Sequence, residues 1–164
     1  MRKVTFIPLL LTETTDIYTI RIEGSEGTAF HRFLGTYNGS NDRYIREDLD
    51  RILAAIEKIS QNGALESYFR PEGRMNDRLC AIPLLISSRD KAKHGTLRVY
   101  CIRISDSLLI IGEGGIKYTM TYEEDIKMAS IVKTLQSIDS ELEFQECKGI
   151  DLKDNIMNIT LTID

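Results

Sequence analysis

The chain has 164 residues, 42% of them hydrophobic and 28% charged, with 21 Lys/Arg against 25 Asp/Glu and a formal net charge of −4. That length accommodates one domain with a sizeable core, and the composition excludes disordered, collagen-like and coiled-coil classes. A negative total also argues against a general nucleic-acid binder, provided the charges are spread evenly.

The start, Met1-Arg2-Lys3-Val4 to Leu11, imitates a secretory signal. The apolar run is short, contains Pro8 and leads into polar Thr12–Asp16 with no small-residue cleavage site. No stretch approaches the roughly 18–20 apolar residues that span a bilayer. A cytoplasmic protein with no membrane partner is therefore expected.

Residues 3–11 are β-prone, and Pro8, which cannot donate to a ladder, predicts an edge strand. Residues 16–23 alternate Tyr18, Ile20 and Ile22 against Thr19, Arg21 and Glu23, the pattern of a half-buried strand. Gly24–Gly27 reads as a turn that returns the chain from Thr28 to Leu34, completing an N-terminal β-meander over 1–40. His31 falls in that returning segment and reads as structural.

A helix is predicted over 43–62. Ile45, Leu49, Ile52, Leu53, Ile56 and Ile59 form one stripe at a 3.6-residue period, and Asn62-Gly63 supplies the stop. Residues 79–86 read as a strand interrupted by Pro83. Residues 96–104 form another, with Arg98, Tyr100, Ile102 and Ile104 on one face and Leu97, Val99, Cys101 and Arg103 on the other. Ser105-Asp106-Ser107 turns the chain into Leu108–Ile111, an antiparallel partner. The glycines of Gly112–Gly115 then allow a bend or bulge before Ile116-Lys117-Tyr118.

Thr121 and Glu124 make a capping box for a second helix with the stripe Ile126, Ala129, Val132 and Leu135. Glu141–Cys147 and Ile156–Ile163 alternate as two terminal strands. The fold class is thus α+β: a twisted antiparallel sheet packed against helices, in a single domain over 1–164. Its parts are the meander (1–40), a core (41–137) and a C-terminal β extension (138–164).

Cys80, Cys101 and Cys147 form no C-x-x-C pair, which indicates reduced thiols, the first two within strands. Gly112-x-Gly114-Gly115 is no phosphate loop, because Lys117 is followed by Tyr118 and not by Ser or Thr. No G-x-S-x-G elbow occurs, and no residue cluster has metal-ligand spacing. No cofactor or metal is expected.

The segment from Leu97 to Leu135 carries a family resemblance. Leu97-Arg98-Val99-Tyr100 opens a strand that turns at a polar pair into Leu108–Gly112; Ile116-Lys117 and a capped helix follow. This resembles the end of toxins of the RelE/ParE superfamily, including the HigB-like branch, over about residues 45–137. The resemblance implies a RelE-like core and the toxin half of a toxin–antitoxin pair. The implied activity is cleavage of mRNA, often on the ribosome, by metal-free acid–base chemistry. The implied partners are a cognate antitoxin protein, mRNA and the ribosome.

Such cleavage needs a base for the 2′-hydroxyl, cations for the crowded phosphate and an acid for the leaving oxygen. The candidate catalytic residues are His94, Arg98, Lys117 and Tyr118. Candidate RNA contacts are Arg74, Arg78, Arg89, Lys91, Lys93 and Tyr122, from cationic and aromatic residues. They fall in a locally basic region: residues 67–118 hold nine Lys/Arg and five Asp/Glu, against 12 and 20 elsewhere. The negative total is an average over unlike parts, and any RNA contact belongs to the middle third.

Two alternatives stand beside this reading. One is a non-enzymatic protein-binding module on a RelE-like fold. It is favoured by Leu79–Pro83, where the family pattern has an arginine. The other is a gyrase-directed, ParE-like inhibitor.

Overall fold

A computed structural model describes residues 1–71, 78–82, 95–118 and 125–164. The chain begins with strands β1 (Arg2–Leu11) and β2 (Asp16–Ile22) and continues into helices α1 (Ala29–Tyr37) and α2 (Arg43–Asn62). Short strands β3 (Arg70–Pro71) and β4 (Leu79–Ala81) precede the long pair β5 (Thr96–Ser105) and β6 (Leu108–Lys117). Helix α3 (Ile126–Cys147), the short helix α4 (Leu152–Asn155) and strand β7 (Thr160–Ile163) complete the chain.

The fold is mixed α+β. The seven strands form one sheet in the order β3-β4-β5-β6-β2-β1-β7. Every neighbouring pair is antiparallel except β2 and β6, which run parallel with Asp16 beside Leu108 and Thr19 beside Ile111. The two chain ends meet at one edge, where β7 pairs with Arg2–Thr5 of β1. Pro8 lies beyond that pairing, so β1 is an edge strand only along its second half, where a missing N–H costs no ladder bond.

Helices cover both faces of the sheet. On one face α3 contributes Met128, Val132, Leu135, Ile138 and Leu142 to a core with Phe6, Tyr18, Ile20, Tyr100, Ile102 and Ile110. On the other, Phe30 and Phe33 of α1 and Ile45, Leu49, Ile52, Ile56 and Ile59 of α2 pack on Ile17, Leu97, Val99, Cys101, Leu109 and Ile111. The alternation expected for 96–104 is thus present, with each face of β5 buried under a different helix layer. Double coverage explains the uninterrupted apolar run Leu108–Ile111, all four of which are fully buried between the two layers.

Helix α2 has the predicted boundaries. Asp42 caps its N-terminus by accepting from the Tyr44 N–H, and Gly63 at φ +104° ends it. Of the predicted stripe only Leu53 is exposed. The last carbonyls of α2 are met by the loop between β1 and β2: the Thr12 hydroxyl donates to Ser60 O at 2.6 Å and the Thr15 hydroxyl to Ile59 O at 3.2 Å.

Three segments differ from the sequence expectation. Residues 29–37 are helical rather than a returning strand, so the N-terminal part is a hairpin followed by α1. Thr28 accepts from the His31 N–H as N-cap, and Phe30, Phe33 and Tyr37 follow at helical spacing. Residues 141–147 are the last two turns of α3 rather than a strand. The burial of Leu135, Ile138 and Leu142 continues the helical period, while Phe144, whose alternation suggested a strand, is exposed under the Lys148 ammonium. Within 156–163, Ile156–Asn158 is a 3₁₀ turn and only Thr160–Ile163 is strand. The capping box at Thr121 lies outside the described residues; α3 is capped by Asp125, which accepts from the Met128 N–H.

Strand β6 runs unbroken through its glycines, with a bulge. Val99 pairs with Gly114 and Cys101 with Ile111, so Gly112 and Glu113 together face Tyr100. A Cβ on Gly114 would lie 1.8 Å from the Arg98 carbonyl oxygen, and one on Gly112 would lie 2.9 Å from the Leu135 side chain. The glycines therefore let β5 and α3 close on β6. Gly114→Ala is expected to cost at least about 3 kcal/mol, because backbone rather than side chain must yield. Gly35→Ala, in helix α1 with nothing within 4 Å, is expected to stabilise by about 0.5–1 kcal/mol. Urea denaturation of both variants checks the pair of signs.

Candidate functional site

One end of the β5–β6 pair gathers cations contributed by three elements. Arg98 on β5 pairs with Gly115 on β6, and Lys117 pairs with Thr96. Arg98 and Lys117 are therefore diagonal neighbours on one face, which is the α3 face because Arg98 alternates in phase with Tyr100 and Ile102. The third cation comes from the first turn of α3. A Cβ built on Gly115 would lie 3.0 Å from Met128 Sδ, 3.4 Å from the Tyr37 hydroxyl and 3.7 Å from Lys127 Nζ. The Lys127 ammonium also sits 5.9 Å from the Tyr37 ring centroid. Gly115 is thus the floor of the group: Arg98 lies across the ladder, Lys117 two residues along, and Lys127 and Tyr37 above.

Burial differs among them. Lys117 is 7% exposed, Arg98 is intermediate and Lys127 is exposed. The N-terminal end of α3, capped by Asp125, directs its positive dipole to the same corner. Two described carboxylates nearby are engaged with other groups. Glu113 meets Arg32 at 3.3 Å, and Asp125 caps α3. Chemically, the arrangement suits an anion with several oxygens, such as a phosphodiester.

Tyr118 stands apart from this group. It follows Ile116 in phase, its ring lies against Gly95, and it is 50% exposed. Gly95 makes that packing possible: at φ +64° it would carry a Cβ only 2.9 Å from the Tyr118 ring. Tyr118 therefore marks the strand end on the α2 face, with Lys117 on the other.

Arg78 lies elsewhere and is held by acids. Its Nε donates to Asp139 Oδ1 at 2.9 Å, its Nη1 to Glu146 Oε1 at 2.7 Å, and its backbone N–H to Asp139 Oδ2 at 3.0 Å. Burial acts to lower the Arg78 pKa, but the Asp139 and Glu146 carboxylates outweigh it and raise the value. This network fastens β4 to α3. Arg103, across the ladder, is similarly engaged, donating to Ala64 O at 2.6 Å and pairing with Asp106 and Glu66. Of the remaining predicted residues, Arg74, Arg89, Lys91, Lys93, His94 and Tyr122 lie outside the described residues.

Three further residues shape the site. Lys127 and Tyr37 reach it only through helix docking, and the strand reading of 28–34 hid the helical spacing that directs Tyr37 inward. Asp48 carries a clearer signal, because it falls inside the apolar stripe of α2, three residues after Ile45 and four before Ile52. It is fully buried, accepts from the Leu97 N–H at 3.1 Å and faces Arg51 at 3.5 Å. Asp48 so fixes the residue that precedes Arg98.

Asp48→Ala is expected to lose about 1–3 kcal/mol by leaving the buried Leu97 donor unsatisfied. Asp48→Asn, which keeps an acceptor, is expected to lose less. Equilibrium urea denaturation followed by circular dichroism distinguishes the two. No family model, curated protein or solved structure matches the chain.

Proposed function

We propose that this chain is the toxin component of a toxin–antitoxin pair, a RelE/HigB-like protein that engages mRNA at the β5–β6 end. The observation that carries the reading is the convergence of Arg98, Lys117 and Lys127 around Gly115. The sequence reads both Arg98 and Lys117 as phosphate-handling residues, and their position on one face of the strand pair supports this reading.

In this reading the 2′-hydroxyl of a bound nucleotide attacks the adjacent phosphorus, and the Arg98 guanidinium and Lys117 ammonium stabilise the added negative charge. His94, on the chain just before Gly95, takes the proton-transfer role. A base stacked on Tyr118 would have to reach around the strand end from the phosphate site. A cognate antitoxin would silence the protein by placing acidic side chains on the same cations. The substrate makes the cytoplasm the place of action.

A second reading, a non-enzymatic protein-binding module on a RelE-like fold, is favoured by two observations. Lys117 is nearly buried, and Arg78 is committed to Asp139 and Glu146. Both residues then serve the scaffold.

The test is to induce the protein alone in a bacterial host while following growth and message integrity. The enzymatic reading expects growth arrest with cut messages. It also expects a loss of cleavage on the order of 10²-fold in Arg98→Ala, Lys117→Ala and His94→Ala, with folding verified by circular dichroism. Arrest with intact messages would overturn it in favour of a protein partner, with plasmid relaxation identifying gyrase as that partner. Absence of both effects from folded wild-type protein would overturn the toxin assignment.

A further inference from the structure

Two of the three cysteines, unrelated by any sequence motif, are direct partners across the β4–β5 ladder. Cys80 pairs with Cys101 between the Leu79–Ile102 and Ala81–Tyr100 pairs. Both thiols are buried on the α2 face and belong to the same core, and Cys80 Sγ lies 3.7 Å from the Cys101 carbonyl oxygen.

The flanking bonds define the kind of pair. Ile82 N–H donates to Val99 O and Arg103 N–H donates to Arg78 O, which makes Cys80–Cys101 a hydrogen-bonded position. Such positions separate their Cα atoms by about 5.5 Å, within the range a disulfide spans.

Access is unequal. Cys80 is 5% exposed and lines a groove of about 590 Å³ with Phe69, Pro71, Arg78 and Arg103, whereas Cys101 is fully buried. Among the described residues, the groove brings a small solute to Cys80, whereas Cys101 does not line it.

We infer that Cys80 and Cys101 form a thiol–disulfide switch in which a hydroperoxide oxidises Cys80 and Cys101 resolves it into a cross-strand disulfide. In the first step the Cys80 sulfur attacks the terminal peroxide oxygen. An S–O bond forms, the O–O bond breaks, and the departing oxygen leaves as alcohol or water after taking a proton. Cys80, now a sulfenic acid, has lost two electrons to the peroxide. In the second step the Cys101 sulfur attacks the Cys80 sulfur; the S–S bond forms, the S–O bond breaks, and hydroxide leaves as water with the Cys101 proton. Two thiols and one hydroperoxide thus give one disulfide, one alcohol or water from the peroxide, and one further water.

The order of attack follows from the surroundings. Burial pushes the Cys101 thiol well up, and Cys80 beside it adds to the effect, so Cys101 is a poor first nucleophile. Cys80 differs from Cys101 by its access: it lines the groove, whose wall also holds the ion-paired Arg78, Arg103 and Glu66. Cys147 is exposed at the end of α3, on a different element from the pair. The product staples β4 to β5, closing the 21-residue separation between the cysteines. The switch does not depend on the RNA reading.

The test treats the folded full-length chain with hydrogen peroxide, then denatures it in excess alkylating reagent and measures its mass. The expected result is the loss of two hydrogens, alkylation of Cys147 alone, and a peptide map linking Cys80 to Cys101. The Cys147→Ser variant is expected to form the same Cys80–Cys101 bridge and to take up no alkylating reagent. In Cys101→Ser the sulfenic acid is expected to persist at Cys80 and to be trapped by dimedone. Alkylation of all three cysteines after peroxide treatment, a bridge that includes Cys147, or dimedone labelling without Cys80 would overturn the inference. The wild-type mass map stands alone should the serine variant misfold.

Discussion

The structure depends on a strand pair that is covered by helices on both faces along most of its length. β5 and β6 lie at the middle of the sheet with α3 on one side and α1 and α2 on the other, so each of their side chains must match one of two cores. A strand with both faces buried cannot slip by one residue without exchanging its entire set of contacts. The bulge opposite Tyr100 is therefore a fixed feature: it resets the alternation of β6 between Ile111 and Ile116, so that Ile116 rejoins the α2 side and Lys117 faces α3. Without the extra residue, Lys117 would be directed to the opposite layer. The glycines at 112 and 114 permit that bulge to sit under a closely packed helix and against the Arg98 backbone.

Much of this was legible in the sequence, for identifiable reasons. Helix α2 has a long stripe, a cap and a stop that agree with one another, and agreement across levels makes an element readable. The two faces of β5 were equally plain from alternation. What escaped were short segments in which two periods compete. Over 141–147, Leu142 and Phe144 mimic a strand, yet the same Leu142 continues the helical series from Met128, and a helix already nucleated extends at little cost. At 28–34 the turn before Thr28 suggested a third strand, whereas the Thr28 side chain caps a helix. The parallel contact of β2 with β6 has no local signal at all, since it joins segments about ninety residues apart; inside it the Thr19 hydroxyl bonds Ile111 O and receives the Phe30 N–H.

The candidate site shows the same division. Arg98 and Lys117 were identifiable because each is a cation in a strand of apolar residues. The contributions of Lys127 and Tyr37 depend on where α3 and α1 dock. Arg78 illustrates the converse, for a cation in a basic stretch can be a fastener. Its bonds to Asp139 and Glu146 join β4 to α3, and both carboxylates come from a segment whose helical state was not foreseen. The negative total charge is thus unevenly distributed: the acids on α3 serve the Arg78 network at one end, while the opposite end of the same helix presents Lys127 and its N-terminal dipole.

The central claim is that this corner, built around Gly115, is where the protein meets RNA. The most direct measurement is a ¹⁵N NMR titration of the full chain with a short single-stranded RNA at low salt, where phosphate contacts are strongest. The account predicts concerted shifts at Thr96–Arg98, Gly114–Tyr118 and Lys127, fading as salt is raised. Shifts confined to the groove around Arg78 and Arg103, or an unchanged spectrum, would contradict it.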